Sequence, residues 1–131
     1  PHTGELLKTI HQPTGWYTAL AISPDSQTLI TAYDDRRLEF WNTQTWARTK
    51  FLPLNGTVRE ISYSKDGSYF AIGYEDGRIQ IWSHRTKLLL ADLPGHTGLT
   101  SMAFSPSGDQ LASSSENGTI RLWKIAPLPN P

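Results

Sequence analysis

The sequence predicts an all-β protein built from three copies of one unit of four short antiparallel strands. The first observation is a repeat, because Trp41, Trp82 and Trp123 lie 41 residues apart with no gap needed between the copies. The second is a serine-led turn at the same offset, in the stretches 23–26, 64–67 and 105–108. The third is an alternation of large apolar residues with small or polar ones, which is the period of a β-strand. The turn positions 34–35, 75–76 and 116–117 also fall in register, so three marks coincide at one period and predict a repeat array.

Length, composition and charge are those of a soluble globular domain. The chain has 131 residues, 37% of them hydrophobic and 18% charged, and its 12 basic side chains equal its 12 acidic ones. This balance gives no net field that would attract nucleic acid or an anionic membrane, so we expect neither as a partner. No cysteine is present for disulfides or thiolate metal sites, which favours a reducing, cytoplasmic location.

The first strand of each unit is marked by large apolar residues two positions apart. These pairs are Leu20 and Ile22, Ile61 and Tyr63, and Met102 and Phe104. The positions that alternate with them are small or polar, so one face of the strand carries bulk and the other packs closely. A turn follows, and a second strand is predicted over 29–33, 70–74 and 111–115.

The third strand of each unit ends at the repeated tryptophan, over 38–41, 79–82 and 120–123. It follows a turn that is acidic in the first two units and contains Asn117-Gly118 in the third. A looser fourth strand is predicted ahead of each unit, over 5–10, 47–52 and 88–93. No further outer strand is predicted after Trp123, because the stretch 126–131 is rich in proline.

The third unit carries the strongest resemblance to a known family. It contains Pro94-Gly95-His96-Thr97, then Ser105-Pro106-Ser107-Gly108, then the run from Leu111 to Trp123. In order, spacing and strand period, these motifs resemble the WD40-repeat (WD-repeat) family, whose members are β-propellers with blades of about 40–45 residues. The resemblance extends over nearly the whole chain and implies three four-stranded antiparallel blades.

The first two units depart from the family pattern at two places. Pro13-Thr14 and Leu54-Asn55 stand where the third unit has its Gly-His pair. The aspartate that the family places after each tryptophan is replaced by Asn42, Ser83 or Lys124. We therefore expect that hydrogen bonds stabilise these units less, and that apolar packing between blades stabilises them more.

The resemblance also implies a structural hydrogen-bond network in each blade. In the third unit its nearest matches are Asn117, His96, Ser113 or Ser114, and Trp123. In the other two units the turn position is held by Asp35 and Asp76, and the tryptophan position by Trp41 and Trp82, with no aligned histidine.

We assign one segment, 3–125, with repeats at about 3–45, 46–86 and 87–125, followed by the proline-rich tail 126–131. Three blades do not close a ring, since propellers typically use four to eight. Two interpretations stay open. The chain is the C-terminal part of a longer propeller, which its start at Pro1 and its single methionine, Met102, favour; or several copies assemble into a closed ring.

No catalytic site, metal site or cofactor is predicted. Ser114, His96 and Asn117 suggest a nucleophile, a base and an orienting group, but the third is an amide and the structural network accounts for the same residues. The four histidines show no metal-ligand spacing, and no phosphate-binding loop of the Gly-x-x-x-x-Gly-Lys type occurs.

A docking face is the site that the resemblance implies. It would be formed by the segment that leads into the first strand and by the turn before the third strand. Register places nine residues there: Trp16, Thr18 and Asp34; Thr57, Arg59 and Glu75; Gly98, Thr100 and Glu116. Asp34, Glu75 and Glu116 would form an acidic arc with Trp16 as an aromatic anchor, which predicts a basic peptide or protein partner. The alternative is that these are solvated turn residues.

We expect a non-catalytic scaffold for protein interactions. One alternative is a sensory or regulatory propeller domain of a larger signalling ATPase or kinase. A second is a hydrolase with a hydroxyl nucleophile near His96. A third, nucleic-acid binding, would have to show strong salt dependence without any basic cluster.

Overall fold

The computed structural model describes residues 4–11, 14–93 and 97–125, which form eleven β-strands and no helix. The predicted all-β class is therefore confirmed. Among these residues there is no helix of the length and apolarity that a membrane span requires. The strands are β1 Tyr17–Ile22, β2 Thr28–Tyr33, β3 Arg37–Asn42, β4 Arg48–Pro53, β5 Val58–Tyr63, β6 Tyr69–Tyr74, β7 Ile79–Ser83, β8 Leu89–Leu93, β9 Leu99–Phe104, β10 Gln110–Ser115 and β11 Ile120–Lys124.

The strands form three antiparallel sheets in chain order. The first sheet is β1-β2-β3-β4, the second is β5-β6-β7-β8, and the third is β9-β10-β11. Sheet and sequence repeat are offset by one strand, because β4 and β8 precede the next unit in sequence but pair with β3 and β7. The first strands of neighbouring sheets lie against one another, β1 on β5 and β5 on β9.

The fourth strand predicted over 5–10 is wrong, since these residues are almost all solvent-exposed coil. The third sheet has three strands instead of the four of a complete blade, which agrees with the lack of a predicted outer strand after Trp123. A strand needs a neighbouring edge to complete its backbone hydrogen bonds. Among the described residues, β4 and β8 have such an edge on β3 and β7, whereas residues 5–10 pair with no strand.

The second sheet is the middle layer, and its central strand β6 is buried on both faces. Every residue of β6 from Phe70 to Tyr74 is inaccessible, as expected for an apolar strand covered by two neighbouring sheets. Gly73 lets the third sheet approach, because a Cβ atom there would stand 2.0 Å from Leu99 Cδ2. The small residue at this position therefore sets the spacing between the second and third sheets.

Two apolar layers hold the three sheets together. Between the first and second sheets, the rings of Phe40 and Phe70 meet edge to face at 5.8 Å, and Phe70 stacks on Trp82 at 6.4 Å. Between the second and third sheets, Ile79 and Ile81 pack with residues of the third sheet, and Trp123 covers their cluster. Aromatic pairs of this kind contribute about 0.5–1.5 kcal/mol beyond the area they bury.

The outer faces of the first and third sheets carry the same residue types as the buried layers. Leu122 is 72% exposed, whereas Ile81 and Phe40, at the same position of the earlier units, are fully buried. Leu20 is likewise exposed, whereas Ile61 and Met102 at its position are buried. The repeat therefore presents apolar packing surfaces on both outer sheets.

Candidate interaction face

The predicted docking residues meet at one end of each sheet, where the turn between its second and third strands lies beside the segment that leads into its first strand. A backbone hydrogen bond joins the two in every unit. The amides of Asp34, Glu75 and Glu116 donate to the carbonyls of Trp16, Thr57 and Gly98 at 3.0, 2.9 and 3.0 Å. The fold thus brings together, three times over, positions that the sequence separates by 18 residues.

The carboxylates of Asp34, Glu75 and Glu116, which we call the acidic rim, are held in different ways. Asp34 is half-buried, and its Oδ1 accepts the amide of Trp16 at 3.4 Å. Glu75 and Glu116 are exposed, and the Glu116 side chain lies over Gly98. Because all three remain in contact with solvent on one end of the molecule, the rim is an accessible negative surface.

The other predicted docking residues divide into exposed and strand-bound groups. Trp16 is 67% exposed and Arg59 also faces solvent. Thr57 is half-buried, and Thr18 is half-buried with its hydroxyl directed to the carbonyl of Ala32 at 3.4 Å. The side chain of Thr100 lies outside the described part of the structure, although its backbone belongs to β9.

An arginine two residues beyond each turn aspartate was not singled out from the sequence. Arg37 lies over the Tyr33 ring, 4.8 Å from its centroid, and pairs with Asp35 at 3.2 Å. The spacing Tyr-x-Asp-x-Arg, which the first two units share, is the sequence pattern that could have indicated this contact.

The second unit repeats this arrangement and extends it. Arg78 lies 4.4 Å from the centroid of the Tyr74 ring, and its Nε donates to Asp76 at 2.8 Å. It also donates to the side-chain oxygen of Asn55 at 2.8 Å, which ties the turn to the preceding loop. Asp35 and Asp76 are therefore paired with arginines, whereas Glu75 forms no salt bridge within the described residues.

The residues predicted to form the structural hydrogen-bond network of the third unit are only partly joined by hydrogen bonds in the described residues. Trp123 Nε1 donates to Ser113 Oγ at 2.9 Å. Ser114, the next residue of β10, belongs to the other face of the strand because side chains alternate. Asn117 is exposed, and its side-chain oxygen accepts the amide of Thr119 at 3.1 Å. His96 lies outside the described residues.

The other two tryptophans of the repeat differ in how their indole N–H is satisfied. Trp41 Nε1 donates to the hydroxyl of Thr31 at 3.0 Å. Trp82 Nε1 is buried with no hydrogen-bond partner, because Ile72 stands where the other units have Thr31 and Ser113. The second unit thus lacks a hydroxyl that the other two supply.

At the opposite end of the sheets, a cavity of about 290 Å³ lies between the first and second sheets. Its carboxylates already cap turns, since Asp25 accepts from the Ser23 hydroxyl and Asp66 from the Ser64 hydroxyl and the Ser68 amide. The Ser23 hydroxyl holds the pKa of Asp25 below its ordinary value, and the Ser68 amide does the same for Asp66.

His84 lines the same cavity. Its Nδ1 lies 3.0 Å from the hydroxyl of Tyr63, and burial lowers the pKa of its imidazole. This contact lies within the second sheet and occupies the imidazole as a packing and hydrogen-bonding group. Within 4–11, 14–93 and 97–125, no three His, Cys, Asp or Glu side chains are grouped as a metal site would require.

Comparisons with known proteins agree with this architecture. The family model described as "WD domain, G-beta repeat" matches residues 4–42, 48–83 and 87–124. Two similar solved structures are a crystal structure of RRP9 WD40 repeats, at 24% identity, and a structure of U3-55K, at 23% identity; each has a TM-score of 0.82. Both matches cover 88% of this chain, which spans 37% and 38% of those two chains. The comparison with curated proteins gives no match.

Proposed function

This chain belongs to the WD40-repeat family, and on that premise we propose that it is a non-catalytic scaffold whose acidic rim binds a basic peptide or protein segment. Members of the family are generally scaffolds for protein interactions. The observation that supports the site is the threefold recurrence of an acidic residue whose amide is bonded to the segment leading into the first strand.

The charge of the rim favours a basic partner. The carboxylates of Asp35 and Asp76 are already paired with Arg37 and Arg78, so the acidic rim carries the remaining negative charge of the turns. Complementary charge on a partner would raise the association rate and fix the orientation of the partner. Each exposed ion pair would contribute modestly to the binding free energy.

A peptide-binding experiment tests the proposal. The probe is a flexible glycine-serine peptide that carries three arginines, and binding is measured by titration calorimetry at low and high salt. The variant Asp34→Asn/Glu75→Gln/Glu116→Gln should bind on the order of tenfold more weakly than the wild type, and salt should weaken the wild type most.

A matched control changes the net charge equally at other places. Glu5→Gln/Asp92→Asn/Asp109→Asn removes three carboxylates outside the rim and should bind the peptide nearly as well as the wild type. Equal weakening in both triple variants would mean that only net charge matters, and the proposed site would then be wrong.

A further inference from the structure

Trp16 is an exposed aromatic residue whose backbone is fixed from both sides by Asp34. The Asp34 amide donates to the carbonyl of Trp16 at 3.0 Å, and Asp34 Oδ1 accepts the amide of Trp16 at 3.4 Å. Gly15 makes this closeness possible, since it has a φ of 77° and a Cβ atom there would stand 2.4 Å from Asp34 Oδ1. The backbone that carries this aromatic side chain and the Asp34 carboxylate are therefore held together before any partner binds.

The chain itself shows what such a pair of groups binds. In the first unit the guanidinium of Arg37 lies over the Tyr33 ring and pairs with the Asp35 carboxylate. In the second unit Arg78 does the same with Tyr74 and Asp76. A cation gains from the negative face of the ring and from the carboxylate at once, which is why both occur beside the same guanidinium.

Trp16 offers an aromatic surface beside a carboxylate-bearing residue, but no arginine or lysine side chain of the described residues lies over its ring. Among the described arginine and lysine side chains, those that lie over rings occupy Tyr33, Tyr74, Phe40 and Trp123. The indole is 67% exposed, and tryptophan offers the strongest cation–π surface of the aromatic residues.

We propose that Trp16 and Asp34 bind one arginine side chain of the partner segment, with the guanidinium over the indole and paired with the carboxylate. This inference rests on the proposed function and specifies the residue that the partner supplies at the first unit. Arginine is favoured over lysine because its planar group both stacks on a ring and presents a fork of donors to a carboxylate.

The test uses two peptides that differ in one charge. The first is a glycine-serine peptide with a single arginine, and the second carries citrulline, its neutral isostere, at that position. Binding is followed through the indole N–H resonance of Trp16 in two-dimensional NMR of the full chain. The arginine peptide should shift this resonance and the citrulline peptide should not.

Variants at the site supply the affinity readout with the three-arginine peptide. Trp16→Leu keeps an apolar side chain without the ring and should weaken binding about two- to fivefold. Asp34→Asn keeps the acceptor for the Trp16 amide and should weaken it similarly. Asp109→Asn is the comparison variant, because Asp109 lies in the turn before β10, at the opposite end of the third sheet from the rim, and the change should leave both the affinity and the Trp16 shift intact.

Three outcomes overturn the inference in distinguishable ways. If Trp16→Leu binds as the wild type does while neutralising the rim weakens binding, the arginine site is wrong and the proposed function stands. If neither change affects binding, both are wrong. Equal shifts of the Trp16 resonance with arginine and citrulline peptides would also overturn the arginine site.

Discussion

At the scale of single residues, the three repeats differ most clearly in the partner of the repeated tryptophan. Thr31 and Ser113 accept the indole N–H of Trp41 and Trp123, whereas Ile72 leaves that of Trp82 buried and unpaired. A buried donor without an acceptor costs about 1–3 kcal/mol. Apolar packing of Ile72, which is fully buried in the layer between the first two sheets, offsets part of this cost.

A hydroxyl at position 72 should recover the missing hydrogen bond. We compare Ile72→Thr with Ile72→Val, because the two side chains have the same shape and differ in the hydroxyl. We expect the threonine variant to have the higher free energy of unfolding by about 0.5–1.5 kcal/mol in urea titrations. Ordinarily a buried Val→Thr change is unfavourable. In a Trp82→Phe background the advantage should vanish; a valine variant that is more stable in both backgrounds would contradict the account.

At the scale of elements, one side chain joins the first strands of the second and third sheets. Glu60 on β5 is half-buried, and its Oε2 accepts the amide of Met102 on β9 at 2.6 Å. Burial raises the pKa of its carboxyl, while the Met102 amide acts in the opposite direction. The bond links the sheets, but the carboxylate charge is partly removed from water.

The stability of this link should depend on pH. Because the folded-state pKa of Glu60 lies above its unfolded value, the folded protein holds the proton more strongly, and stability falls as pH rises from below about 4.5 through the raised pKa. Glu60→Gln keeps the acceptor and removes the charge. Its advantage in the free energy of unfolding over the wild type should therefore grow between pH 4 and pH 7.

The variant Glu60→Ala tests the hydrogen bond, because it removes the acceptor as well as the charge, whereas Glu60→Gln removes the charge alone. This variant leaves the Met102 amide without its partner and should be less stable than Glu60→Gln by about 1 kcal/mol at every pH tested. A Glu60→Gln variant whose difference from the wild type stays constant between pH 4 and pH 7 would show that the carboxyl is not perturbed by burial.

Individual strands are also the features of the fold that the sequence predicts best. The strands ending at Trp41, Trp82 and Trp123 follow from alternation and turn residues, because each carries its own local signal. Residues 5–10 have the composition of the outer strands 48–53 and 89–93, yet they form none, because an outer strand is defined by the edge it pairs with. The sequence analysis did not predict the stacking of Arg78 on Tyr74, because this contact depends on a side-chain geometry that the spacing alone does not specify.

At the scale of the whole molecule, the two outer faces repeat residues that are buried between the sheets. Leu20 and Ile22 on β1 are exposed, as are Ile120 and Leu122 on β11. Exposed apolar patches of this kind favour association. The face of β1 is complementary in type to the face of β11, since the equivalent surfaces pack together twice within the chain.

We expect the 131-residue chain to associate through these faces in a concentration-dependent manner, as measured by light scattering coupled to size-exclusion chromatography. Leu122→Arg places a charge on the outer face of the third sheet and should reduce the association strongly while circular dichroism keeps its β signature. Leu88→Arg is the control, because Leu88 is also largely exposed but lies in the segment that leads into β8 of the second sheet. Identical behaviour of the two variants would argue against association through these faces.

We propose above all that partners bind the end of the molecule that carries the acidic rim. The most direct measurement is backbone amide NMR of the chain titrated with the three-arginine peptide. We predict the largest shifts at residues 15–18, 34–36, 57–59, 75–77 and 116–118. Shifts concentrated instead at the opposite turns, 23–27 and 64–68, or on the outer faces of β1 and β11, would contradict the claim.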